Sequence, residues 1–376
     1  MSSSPENVLI TRSPYVTLIY FLVNELQKIK NTAYFFVITR ACSEEEIRHT
    51  REIFPHSYFF REYSLKSMFK KYSILRRFCT ALQICSRITV PYLVLRATKN
   101  FRWPFLKTAE LFCWDLPPIA KALIGKCDYT FLEEGLGVYA YAELEDTLHS
   151  KDIPYSVRLA RFLYAPFGLK PLGLSPQAKR IILTRLAEIP NCYKDKNVEI
   201  ISIPELWEKS SPEKKALIMK FFDLTFEDIE AIKQKDIIFV EQPLDGYLTV
   251  EEKIEMLRRI LNRYAHSRIL LKTHYRTTIN YKELFPDVLV WDKHTPMELL
   301  NLCGAKFTEA ITINSTAALC FPEDVHIVWL GSNPEDPCFA HFSPESRDKF
   351  NKFVNELPIP SRIKAQNIKK EGLFKC

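Results

Sequence analysis

The chain has 376 residues, of which 47% are hydrophobic and 26% charged, with a formal net charge of +7. That balance excludes a disordered or fibrous chain and describes a soluble globular protein, either two ordinary domains or one large one. The surplus of positive charge suits an anionic partner such as a nucleotide, an acidic sugar, lipid headgroups or nucleic acid.

Taken in chain order, Asn7 to Ile10 reads as a first strand, and Tyr15 to Ile29 has helical periodicity. Thr32 to Thr39 is an aromatic and β-branched strand, and Glu44 to Arg51 a helix with acidic residues in its first turn. Strand, loop, helix, strand is the pattern of a parallel α/β layer. Leu65 to Lys107 is basic, with Lys70, Lys71, Arg76 and Arg77 among its cations and aromatic residues between them. It reads either as a solvated helix face, with long stems covering apolar surface, or as a groove for a polyanion or an anionic membrane. The run Ile88 to Leu95 is interrupted by Pro91, and no apolar run approaches the roughly 18 residues that span a bilayer. Any membrane association is therefore expected to be peripheral. The polar start Met1 to Glu6 resembles neither a signal peptide nor an anchor.

Tyr129 to Leu132 is an apolar strand that runs into Glu133-Glu134-Gly135-Leu136-Gly137. With only 9 glycines in the chain, two here mark a sharp turn. Two adjacent carboxylates repel, which raises the pKa of one and suits it to act as a base. The pair reads equally as solvated loop. Arg180 to Thr184 and Val198 to Ile203 are short strands, and Glu205 to Lys233 is a charged helical region. From Asp236 onward strand and helix alternate regularly. Asp236 to Val240 is followed by a helix from Val250 to Ala265, with Thr249 as its N-cap. The strands Arg268 to Leu271, Val288 to Trp291, Ala310 to Ile313 and Val325 to Leu330 follow, with a short helix at Met297 to Cys303.

This second layer carries its own candidates. Lys272 and His274 leave a strand end two residues apart, so two cations converge on a phosphate, and His is the best general acid near neutral pH. Ser315 and Thr316 stand where a helix starts, which serves either as a simple cap or as a phosphate site. Glu298 follows Thr295-Pro296 in a first helical turn, where it favours the dipole or grips the two hydroxyls of a ribose. The 10 cysteines include no Cys-x-x-Cys, and Cys79 and Cys85 are the nearest pair. They read as free thiols in a reducing compartment, and no metal site is expected.

The order acidic-acidic-Gly, Gln-Pro-Leu, Lys-x-His, Pro-x-Glu-Leu-Leu and Ser-Thr resembles the bacterial sialyltransferases. It is most similar to the polysialyltransferases and lipooligosaccharide sialyltransferases. The resemblance runs from about residue 129 to 320. It departs at Tyr275, where the family's His is followed by proline, and at the two acidic positions, both glutamate here. It implies two Rossmann-like α/β domains facing a cleft, the GT-B type, with the acceptor-side domain at 1–230, the CMP-sugar domain at 231–342 and a helical, basic tail at 343–376. It also implies an inverting, metal-independent transfer of sialic acid from CMP-sialic acid, with no cofactor. Glu134 or Glu133 serves as base, His274 as acid, Lys272, Ser315 and Thr316 as phosphate ligands, and Glu298 as ribose ligand.

With the basic stretch, the expected acceptor is an oligo- or polysialic acid chain held by Lys70, Lys71, Arg76 and Arg77. The setting is then a bacterial cytoplasm at the inner membrane surface, in capsule polysaccharide biosynthesis, with no nucleic acid. The alternatives are a lipooligosaccharide enzyme acting on a terminal galactose of a glycolipid, and a polyanion-binding module without catalysis.

Overall fold

The computed structural model describes residues 4–38, 44–61, 95, 98–135, 138, 171–184, 189, 191–274 and 277–356. The chain divides into two compact units, Met1–Phe221 and Phe222–Cys376.

The first unit is built on a seven-stranded sheet. Its strands are β1 (Asn7–Thr11), β2 (Thr32–Ile38), β3 (His56–Arg61), β4 (Glu110–Cys113), β5 (Tyr129–Leu132), β6 (Ala178–Leu183) and β7 (Val198–Ile200). The order is β3-β2-β1-β4-β5-β6-β7, and every neighbouring pair is parallel. A parallel sheet is covered on both faces, which is why β1 and β5 are dominated by apolar residues and buried at every position. The chain moves outward through β2 and β3, then returns to the other side of β1 with β4. The switch point therefore lies between β1 and β4, where ligands of such sheets bind beyond the strand C-termini.

Two of these strands, β3 and β4, were not anticipated from the sequence. The helix expected over Tyr15 to Ile29 is two helices, Pro14–Val23 and Leu26–Lys30, broken at Asn24 and Glu25. The buried Asn24 side chain turns back to the Tyr20 carbonyl at 3.0 Å, an alternative partner that favours stopping the helix. Lys70, Lys71, Arg76 and Arg77 lie outside the described residues.

The second unit has five parallel strands: β8 (Ile237–Val240), β9 (Ile269–Lys272), β10 (Leu289–Trp291), β11 (Glu309–Thr312) and β12 (His326–Trp329). Their order is β10-β9-β8-β11-β12, so the switch point lies between β8 and β11. Each unit is thus a Rossmann-like α/β layer, the fold class expected from the sequence.

The helix Val250–Leu261 covers β8 and β9 because its apolar residues Met256, Leu257, Ile260 and Leu261 recur on one face and join the core. It starts where expected, at Thr249, in a capping box with Glu252. Glu252 also accepts from the Ser346 hydroxyl at 2.6 Å and from the Ser343 backbone N–H at 2.8 Å.

Those contacts join the last described helix to the second unit. The helix Pro344–Glu356 is no separate tail. Phe350 and Val354 are part of the second unit's core, and burying such side chains contributes roughly 1.5–3 kcal/mol each. The division between units falls after Phe221 rather than after residue 230. The reason is that Phe222 and the helix Phe226–Lys233 are tied into the second unit. Lys293 donates to Asp228 at 2.8 Å, and the Thr295 hydroxyl donates to the Phe222 carbonyl.

Candidate active site

The two glutamates at the end of β5 have different surroundings. Glu133 is fully buried, with 0% of its surface exposed. Its carboxylate is held by Thr184, just beyond β6, whose backbone N–H donates at 2.6 Å and whose hydroxyl donates at 2.9 Å. The Tyr15 hydroxyl lies 2.7 Å from the Thr184 hydroxyl. Glu133 thus ties the ends of β5 and β6 to the first turn of the helix Pro14–Val23. Glu134, one residue further, is only half-buried, and Gly135 beside it has φ +115°, a conformation that favours glycine. A side chain that meets substrate must reach solvent, so the geometry favours Glu134 over Glu133 as the candidate base.

At the centre of the second sheet, the consecutive residues Glu241 and Gln242 leave the end of β8. Glu241 accepts the backbone N–H of His274, just past β9, at 2.7 Å, and the Tyr281 hydroxyl at 2.7 Å. Gln242 accepts the backbone N–H of Asn314, just past β11, at 2.7 Å. One dipeptide therefore fixes both loops that carry the expected chemistry. Burial pushes the Glu241 carboxyl above its ordinary range, opposed by the N–H of His274, the hydroxyls of Tyr281 and Thr277, and the charge of Lys253. The His274 side chain is half-buried at this edge.

The Lys272 side chain turns inward. Lys272 is 8% exposed, and its ammonium donates to the carbonyls of Thr273 at 2.9 Å and Lys293 at 3.0 Å. Burial pushes this lysine down to about 8, while Glu241 and Asp292 pull the other way. Its side chain braces the end of β9 against the segment after β10. A buried ammonium seeks backbone acceptors when they lie within reach, and that outweighs the simple alternation that placed it beside His274.

Ser315 sits at the start of the short helix Thr316–Cys320, with its N–H on the Thr312 hydroxyl at 3.0 Å and its own hydroxyl making no cap bond. Of Thr316 the structure describes the backbone only. Glu298 is half-buried in the first turn of the helix Met297–Leu302, as expected, although Pro296 is the cap and Thr295 lies buried before it. Asn314 is buried, and its side-chain N–H2 finds no acceptor among the described residues. Its amide oxygen lies so close to Gly331 that an added Cβ would come within 1.9 Å of it.

Residues missed by sequence reasoning are Thr184, Tyr15 and Glu241. The sequence signal was present for Glu241, a carboxylate directly after the apolar run Ile237 to Val240. Among the described residues no cluster of His, Cys, Asp and Glu could hold a metal ion, and no helix is long and apolar enough to cross a membrane.

A family model described as Glycosyltransferase family 52 matches residues 145–331. That span includes His274, Glu298, Ser315 and Thr316 and begins after Glu133 and Glu134. The chain is 30% identical over 243 residues to an uncharacterised protein of Haemophilus influenzae Rd, covering 64% of this chain and 72% of that one. Among solved structures it is similar to an α/β-galactoside α-2,3-sialyltransferase of Photobacterium phosphoreum. The TM-score there is 0.47 and the identity 13%, covering 95% of this chain and 100% of that one. It is also similar to a 2,6-sialyltransferase of Photobacterium sp. JT-ISH-224, solved with CMP and lactose. There the TM-score is 0.48 and the identity 11%, covering 86% of this chain and 71% of that one.

Proposed function

The chain belongs to glycosyltransferase family 52, and we propose that it is an inverting sialyltransferase that uses CMP-sialic acid as donor. The observation that carries this reading is the pair of bonds from Glu241 and Gln242, which fix the His274 and Asn314-Ser315 loops at the switch point of the second sheet. A leaving phosphate and its acid belong at such a place.

In the proposed reaction Glu134 takes the proton of an acceptor hydroxyl. The freed oxygen attacks the anomeric carbon of the donor as the bond from that carbon to the CMP phosphate oxygen breaks. Inversion follows from this single displacement. The anomeric carbon passes through an oxocarbenium-like state, and the departing phosphate takes a proton from His274. Ser315 and Thr316 hold that phosphate, Glu298 grips the ribose, and the unpaired N–H2 of Asn314 adds a donor beside them. A leaving group with one phosphate needs less neutralisation than a diphosphate, so the reaction is proposed to run without metal. Each acid or base contributes roughly 10²–10⁴-fold.

The proposed acceptor is an oligo- or polysialic acid chain at the inner membrane surface, which the net charge of +7 suits. The test is transfer from CMP-sialic acid to a fluorescent oligosialic acid primer in the presence of EDTA, resolved by chain length. A ladder of longer products supports the polymerase, and sialylation of a lactoside alone would move the assignment to the lipooligosaccharide enzyme. No consumption of the donor with either acceptor would sink the sialyltransferase reading.

A further inference from the structure

The switch point of the first sheet carries a pair of residues that the proposed chemistry does not use. Arg12 directly follows β1 and Trp114 directly follows β4, the two strands between which the chain reverses. The strands run level here: Ile10 pairs with Cys113, and the Trp114 backbone N–H donates to the Ile10 carbonyl at 3.2 Å. The Arg12 guanidinium carbon lies over the Trp114 ring, 4.4 Å from its centroid. Such a contact attracts a guanidinium through the ring's negative face.

Both residues carry an unsatisfied donor. The Arg12 Nε–H and the Trp114 Nε1–H are buried, and neither finds an acceptor among the described residues. Trp114 as a whole is 2% exposed. A buried donor without a partner carries a desolvation penalty, and native structures rarely tolerate two in contact without a purpose. Two N–H donors and one fixed positive charge call for a group that is all acceptor and negatively charged. A carboxylate or a phosphate has that character.

The position relative to Glu134 is set by the sheet. Cys113 pairs with Phe131, so β1, β4 and β5 stand side by side with their C-termini level. Arg12 and Glu134 emerge two strand spacings apart, roughly 10 Å. That separation is about one to two sugar rings.

We propose that Arg12, held on Trp114, binds an anionic group of the acceptor, a carboxylate or phosphate within about two sugar units of the hydroxyl that Glu134 activates. The proposal rests on the sialyltransferase reading and narrows its acceptor to an acidic glycan. A neutral galactose end would leave both donors unpaired.

The test uses the full chain and measures binding of four probes by saturation-transfer NMR and titration calorimetry: 3′-sialyllactose, its carboxyl methyl ester, galactose 6-phosphate and lactose. The wild type is expected to bind sialyllactose about 10- to 100-fold more tightly than the ester or lactose, the range of one charge-assisted fork. Arg12→Gln should abolish that preference, and Arg12→Lys should keep part of it, with an unfolding midpoint near the wild type in both. Trp114→Phe keeps an aromatic face without the N–H donor and should lose part of the preference. Tighter binding of the phosphate than of the carboxylate, again dependent on Arg12, supports the site and names phosphate as its ligand. Equal affinity for acid and ester with no phosphate preference, or a preference that survives Arg12→Gln, overturns it. Hydrolysis of CMP-sialic acid is followed on the same samples. Donor turnover without an Arg12-dependent preference sinks this site alone. An Arg12-dependent preference without donor turnover sinks the transferase reading and leaves the anion site standing.

Discussion

The Glu241 carboxylate accepts the backbone N–H of His274 at 2.7 Å across 33 residues of sequence, and the same carboxylate takes the Tyr281 hydroxyl. The candidate acid is therefore held from the centre of the sheet by a buried carboxyl group as well as by its own loop. Replacing Glu241 by Ala leaves two buried donors unpaired, which costs about 1–3 kcal/mol each. Glu241→Ala is expected to lower both stability and turnover, whereas Glu241→Gln keeps an acceptor for His274 and should retain most of both. The pH response carries a definite sign. The folded state raises this carboxyl above its unfolded value of about 4.3, so between the unfolded and folded values it holds a proton that the unfolded chain has released. The contribution of Glu241 to stability is full below that value and is lost as pH rises through the folded pKa. Urea titrations of wild type and Glu241→Gln from pH 4 upward should diverge in that sense. Parallel curves would refute the burial argument.

The two adjacent glutamates should separate in the laboratory. Glu134→Gln is expected to reduce transfer roughly 10²–10⁴-fold with little change in the unfolding midpoint. Glu133→Ala removes both acceptors of Thr184, so it should lower the midpoint as well as activity. Calorimetric midpoints measured beside initial rates distinguish the two. Loss of stability in Glu134→Gln with none in Glu133→Ala would reverse the assignment.

Much of this arrangement was legible in the sequence, and the remainder shows where sequence reading stops. Strand β8, Ile-Ile-Phe-Val, announces itself because a strand covered on both faces is largely apolar, and Thr249 with Glu252 is a complete local signal. Strand β4 escaped notice because its four residues Glu110 to Cys113 directly follow the long basic, aromatic stretch. Glu133 and Glu134 are chemically identical in the sequence. Thr184, 51 residues away, tells them apart. The inward turn of Lys272 was illegible for a related reason. Alternation along a strand fixes where a side chain begins, and a four-carbon stem then turned to the carbonyls of Thr273 and Lys293.

Glu252 gives a stability prediction of opposite sign to Glu241. Burial would raise its carboxyl, but the Ser346 hydroxyl and the N–H groups of Thr249 and Ser343 outweigh that and hold it down at about 2. Its contribution is present above the unfolded value of about 4.3 and is lost as pH falls toward 2. The side chain is partly solvated, so screening limits the effect to about 1 kcal/mol. Glu252→Gln should lower the unfolding midpoint at pH 7, and the gap to the wild type should close near pH 2. A gap that persists unchanged at pH 2 would argue against the charge.

Gly331 supports Asn314 by leaving room for it. A Cβ there would meet the Asn314 amide oxygen at 1.9 Å and the Ile313 carbonyl at 2.8 Å, and the second of these is backbone that cannot swing away. Gly331→Ala is expected to cost about 1–3 kcal/mol in stability. It should also weaken CMP binding, measured by calorimetry, more than Gly246→Ala does at a site where a Cβ meets nothing. Equal CMP affinity in the two variants would remove Asn314 from the donor site.

Glu241 and Gln242 both grip main chain, the N–H of residue 274 and the N–H of residue 314. Every amino acid except proline offers that N–H, so these two bonds are indifferent to which side chains the loops display. Chemistry and architecture are therefore inherited separately at this edge of the sheet. Residue 274 can be exchanged, by drift or by design, without releasing the two bonds that position its loop, and a library of variants at 274 and 315 would sample new reactivity on an unchanged frame.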